Sequence, residues 1–236
     1  MSYFQWDDNF RLNVARGKVR GASIRNIFGF NQSTGTTVRT LWELASTTDY
    51  VFPSSALPMT FTSSTGAADD GVQVRLIGLD ANYEEIAETV TLNNATPPVT
   101  QGFFRINDFI TVSGNATGAV TAVNGATTYA KIDIGHGRNQ ASVYTVPAGC
   151  EFYLYRIDAF MNDASAAKPG LFRNKVTLSN GTILRVADTP YLNQMNIKRD
   201  FPFKYSEKTD IELQIATLSG STYAGVFGEG LLIKEI

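Results

Sequence analysis

From residue 49 to the C-terminus, short runs of alternating apolar and polar residues are separated by turn residues, and no amphipathic helix interrupts them. Val72, Val74 and Leu76 alternate with Gln73 and Arg75, and Val90 and Leu92 alternate with Thr89, Thr91 and Asn93. That period of two predicts half-buried strands. Between them lies GLDANY (78–83), where Asp80 and Asn82 suit local side-chain-to-backbone bonds of a turn. Further strands are expected around 59–62, 99, 103–112, 119–123, 128–134, 141–146, 151–160, 171–178, 182–186, 209–217 and 226–233. Asn180-Gly181 is a strong hairpin signal. Turns at this spacing predict an all-β chain.

The N-terminal stretch departs from the pattern. Residues 1–48 scatter aromatics among Arg, Gly and Asn, which is too apolar for a free tail and too irregular for a core of its own. The expected organisation is an extended N-terminal arm (1–48), a first β-sandwich (49–135) and a second, jelly-roll-like β-sandwich (136–236). A first strand is expected at 37–44, and a long connection at 188–200.

Charge is unevenly spread. Between Arg11 and Arg39 there are six bases and no acid, whereas 40–103 holds eight acids and only Arg75 as a base. Such blocks read either as solvated faces or, more sharply, as a contact between subunits, with the basic, aromatic arm of one (Tyr3, Phe4, Trp6, Phe10, Arg11, Arg16, Lys18, Arg20, Arg25) on an acidic acceptor surface of a neighbour (Glu84, Glu85, Glu88). The net charge of −2 does not suggest nucleic acid. No stretch approaches the roughly 20 apolar residues of a membrane helix, and MSYFQWDDNF does not read as a secretory signal. Charged residues make up 18% of the chain, so its polar surface comes largely from Thr, Ser, Asn and Gly.

Catalytic and cofactor chemistry finds little purchase. A Cys150–His136 pair would unite the only cysteine and the only histidine, but they read as a buried core thiol and a linker residue in GHGR. Glu84, Glu85 and Glu88 lie too close in sequence to face each other across a sugar ring. Asp69, Asp70 and Asp80 lack the spacing of a calcium loop, and GVFGEG (225–230) lacks the Lys-Ser/Thr of a phosphate loop. No metal, no cofactor and no enzymatic activity are expected. Tyr153 and Tyr155 would share a strand face with Ile157, which argues for packing rather than sugar binding.

Residues 40–100 carry a further signal. Trp42, Tyr50 and Pro53 precede a Thr/Ser-rich strand (60–65), then Gly78-Leu79-Asp80, the ETVTLN strand (88–93), Val99-Thr100 and Phe104-Arg105-Ile106. With NIFGFN upstream (26–31), this segment resembles virion structural proteins of tailed bacteriophages, over about residues 25–124. The second half (YTVPAGCEFYLYRI, FKYSEKTDIELQI) resembles sandwich domains of the same kind of protein, less specifically. The resemblance implies a virion component made in the bacterial host cytoplasm, most simply a capsid decoration protein. The alternatives are a tail or fibre-attachment part, or a receptor- or carbohydrate-binding sandwich. The implied partners are other copies of the chain (a trimer among the open symmetries) and the major capsid or tail proteins, with neither nucleic acid nor membrane.

Overall fold

The computed structural model describes residues 8–44, 48–162 and 167–234. It is all-β, built from antiparallel sheets, with one short helix among the described residues. In chain order come α1 (Asp8–Ala15), β1 (Ala22–Thr34), β2 (Arg39–Thr40) and β3 (Leu57–Ser63). A 3₁₀ turn (Gly66–Asp69) leads to β4 (Gln73–Leu79), β5 (Glu85–Thr91), β6 (Val99–Phe103), β7 (Arg105–Ser113), β8 (Val120–Asn124) and β9 (Thr127–Ile132). Then follow β10 (Val143–Thr145), β11 (Cys150–Asn162), β12 (Pro169–Thr177), β13 (Ile183–Leu192), β14 (Gln194–Tyr205), β15 (Asp210–Thr217) and β16 (Thr222–Lys234).

Residues 57–132 form two sheets, ordered β6-β3-β8-β9 and β5-β4-β7. The apolar members of their alternating patterns meet in one core around Phe61, Leu76, Phe103, Phe109 and Val120. The turn between β4 and β5 uses the anticipated chemistry. The Asp80 carboxylate accepts the Asn82 and Glu84 amides at 2.8 and 2.9 Å, and Tyr83 takes φ +66°. At Asp69 the 3₁₀ turn is locked. Its buried carboxylate accepts the Thr117 and Gly118 amides and the Ser63, Thr65 and Thr117 hydroxyls.

The remaining strands run β1-β16-β11-β14 and then β13-β12-β15-β10, with β2 beside β15. β13 and β14 touch only at Leu192 and Gln194, around Asn193 (φ +58°), so the two four-strand rows part there. A second core joins them: Ile27, Phe152, Leu154, Ile157, Phe172, Ile211, Leu213, Ile215 and Val226.

Three expectations need correction. The stretch expected as an extended arm forms a helix and an edge strand: β1 pairs with β16 from Ala22–Ile233 to Thr34–Thr222, and Ile27 reaches the core. In the strand Ile24, Phe28 and Phe30 lie on one face and Ser23, Ile27 and Gly29 on the other, and the partner strand lies about 200 residues away. α1 stops at Gly17 (φ +69°), where Gly17 and Lys18 donate back to Val14 and Asn13, the paired bonds of a Schellman cap. The strand expected at 37–44 shrinks to Arg39–Thr40. The connection expected at 188–200 is instead strand, because β12 and β11 offer ladders that compensate for the low β-propensity of its Asp, Asn and Pro residues.

A polar seam joins the two cores. Arg105 at the start of β7 makes a two-pronged ion pair with Asp210 at the start of β15, Nε and Nη2 lying 2.8 and 3.0 Å from the carboxylate oxygens. Both residues are buried. Asn107 and Thr145 exchange hydrogen bonds with each other at 2.9 and 2.8 Å, and Arg138 pairs with Asp108 at 2.9 Å.

Candidate functional site

The register of β1, β16 and β11 sorts side chains onto two faces. Glu151 lies opposite Ile233 and Tyr153 opposite Leu231, which in turn face Ala22 and Ile24 across β1. All of these point away from the core that holds Phe152 and Leu232. A β-bulge then intervenes, since the ladder skips between Leu154 and Arg156. Tyr155 therefore stays on the outer face while Ile157 turns inward. The expectation that Tyr153 and Tyr155 share a face with Ile157 is overturned by this one extra residue.

The outer face is partly covered by α1, through Val14 and Phe10. On the other side β14 swells at 199–202, four residues for which the β11 ladder supplies no partner. Between helix and swelling lies a groove of about 730 Å³. Tyr153, Tyr155, Leu231 and Ile233 floor it, with Phe10, Phe201 and Pro202 at its sides. Its charged lining residues are Arg11, Lys198, Arg199 and Asp200, three bases against one acid. The Arg11 guanidinium stands 4.2 Å from the Tyr155 ring centre, a cation–π contact. Phe201 is 84% exposed, the most exposed large apolar side chain among the described residues.

A second, polar hollow of about 210 Å³ lies between Asn31, Ser33, Glu43, Asp133 and His136. The Gln140 amide donates to Glu43, whose other carboxylate oxygen is buried without a hydrogen-bond partner. Burial pushes the Glu43 carboxyl up to about 8. His136 meets the edge of Phe30, and its Nδ1 is also buried without a partner. Cys150 lies in the core with Phe152 and Leu154. Among the described residues no three His, Cys, Asp or Glu side chains come together as a metal site.

The anticipated site residues are dispersed. Tyr3, Phe4 and Trp6 lie outside the described residues. Phe10 and Arg11 line the groove, while Arg16, Lys18 and Arg20 are exposed around the turn after α1. Arg25 does meet the acidic surface, but within the same chain, 2.9 Å from Glu85. Both partners are one-third to one-half exposed, so the pair contributes at most about 1 kcal/mol. Glu88 accepts the Gln101 amide, and Glu84 is exposed. Asp70 and Asp80 are occupied by backbone amides of Asn94 and of the turn. Sequence reasoning missed Lys198, Arg199 and Phe201. A signal was present in KRDFPF (198–203), where two bases and two aromatics interrupt a strand.

No protein-family model matches the chain, and no curated protein matches it. Weak structural neighbours are viral capsid proteins. The structure of infectious bursal disease virus Gx strain is similar at TM-score 0.25 and 14% identity, over 90% of this chain and 72% of that one. The VP2 subviral particle of infectious bursal disease virus is similar at TM-score 0.23 and 11% identity, over 92% and 72%. Likeness at this level carries no argument about fold or role.

Proposed function

We propose that this protein is a non-enzymatic structural component of a virion. The observation that carries the reading is the uncovered apolar surface of two long strands. β13 exposes Ile183 (61%), Leu184, Val186 and Leu192 (59%), and β14 exposes Phe201. Side chains of this size, strung along strands whose facing edges are unpaired beyond Leu192, suit burial against other subunits.

The strand order supports the same role. In β1-β16-β11-β14 packed on β13-β12-β15-β10 we read a jelly roll, with residues 57–132 inserted between its first and second strands. Jelly rolls also serve as lectin domains, so the architecture does not decide the role by itself. Combined with the tailed-phage resemblance of residues 25–124, the most specific reading is a capsid decoration protein that holds neighbouring subunits together. The test is to raise antibodies to the chain and label purified particles. Surface labelling at regular positions is expected, and particles without the chain would end the proposal.

A further inference from the structure

We infer that the groove between α1 and the β14 swelling receives the N-terminal segment of a second copy of this chain. The groove combines an aromatic and aliphatic floor with a basic rim, Arg11, Lys198 and Arg199 against Asp200. Its natural occupant is a short peptide with bulky apolar side chains followed by acids. The chain itself carries such a sequence: MSYFQWDD, with Tyr3, Phe4 and Trp6 ahead of Asp7 and Asp8. Groove and peptide are opposite in charge, which favours encounter and sets register. The exposed Phe201 ring stands at the groove side, where an incoming aromatic would cover it.

The acceptor is thus neither Glu84 nor Glu88, and Glu85 is already paired with Arg25. A second copy, rather than another partner, is chosen on the assembly role proposed above. Such head-to-tail contacts close into rings when the rotation allows.

The acceptor for the test is the full chain with Tyr3→Ser, Phe4→Ser and Trp6→Ser, which cannot supply its own segment. The probe is a synthetic fluorescein-labelled MSYFQWDD peptide, followed by fluorescence anisotropy. Saturable binding is expected, strengthening as salt is lowered. Phe201→Ala and Arg199→Glu in the acceptor should each weaken it about tenfold, with unchanged circular dichroism spectra. No saturable binding, or binding to both variants as tight as to the acceptor without them, overturns the site. Sedimentation of the wild-type chain tests the second copy. Concentration-dependent association, lost in the triple-serine chain, is expected, and a monomer at all concentrations overturns that assignment. Neither assay involves virions, so the groove can fail while particle labelling succeeds, and the reverse.

Discussion

Replacing Asp210 by Asn leaves the shape of the seam nearly intact and removes one charge. Arg105 then stays 8% exposed with no countercharge. It keeps the carbonyls of Pro53 and Phe104, at 3.1 and 2.8 Å, and the Phe104 ring 4.0 Å below its guanidinium. Thr145, whose hydroxyl now donates to Asp210 at 2.6 Å, retains at best a weaker acceptor. Breaking one side of a buried pair costs about 3–5 kcal/mol, and the surviving carbonyl bonds place this case near 3. For a chain of this size that lowers the melting temperature by roughly 6–12 °C. Arg105→Met should cost a similar amount, by stranding the carboxylate. The combined Arg105→Met/Asp210→Leu chain should lose less than either single variant, because no buried charge is left unpaired. Urea unfolding of wild type, Arg105→Met, Asp210→Leu and the double variant measures the cycle, with Asp210→Asn measured beside them. Additive losses, or an Asp210→Asn cost below about 0.5 kcal/mol, would refute the claim that this ion pair couples the two cores.

Asp69→Ala should destabilise by about 2–3 kcal/mol, read from urea midpoints, because it strands the Thr117 and Gly118 amides. Burial alone would raise the Asp69 carboxyl, but the bonds from Ser63, Thr117 and Gly118 outweigh it and hold the group well below the usual carboxylate range. Its stabilisation is therefore complete above the unfolded value of about 3.9 and is lost as pH falls toward the depressed folded value. Asp69→Asn should flatten the urea midpoint between pH 4 and pH 2. Glu43 has the opposite sign: protonated when folded up to about pH 8, it erodes stability as pH rises from about 4.3 to 8. Glu43→Gln should thus gain about 1–3 kcal/mol over wild type at pH 8 and little at pH 4, by the same titration. A Cβ on Gly78 would sit 2.0 Å from the Arg105 carbonyl oxygen, a backbone atom that cannot step aside. Gly78→Ala should cost about 3 kcal/mol or lose the folded state, by thermal melting.

Local chemistry was the legible part of the fold. The β4–β5 hairpin, the Asn180-Gly181 turn, where Thr182 donates to the Asn180 side chain, and the alternation of Ile211, Leu213 and Ile215 follow from side chains within a few residues. What escaped depends on distance or on a single backbone event. β1 reads as irregular until β16 is laid beside it, and no local feature names that partner. The bulge at Tyr155 reverses the faces of a strand whose composition is uniformly strand-like. Charge blocks suggested a basic–acidic contact between subunits, and the structure places Arg25 beside Glu85 of its own chain. The groove needed four segments, around Phe10, Tyr153, Phe201 and Leu231, and only their chemistry was visible in sequence.

In the proposed role this chain is a subunit whose exposed surfaces are covered by neighbours. The most direct measurement is the copy number of the chain in purified particles, by quantitative mass spectrometry against the shell protein. A fixed copy number, in a simple ratio to the shell protein, is the predicted result. Absence from the particles, or a trace amount that varies between preparations, would contradict it.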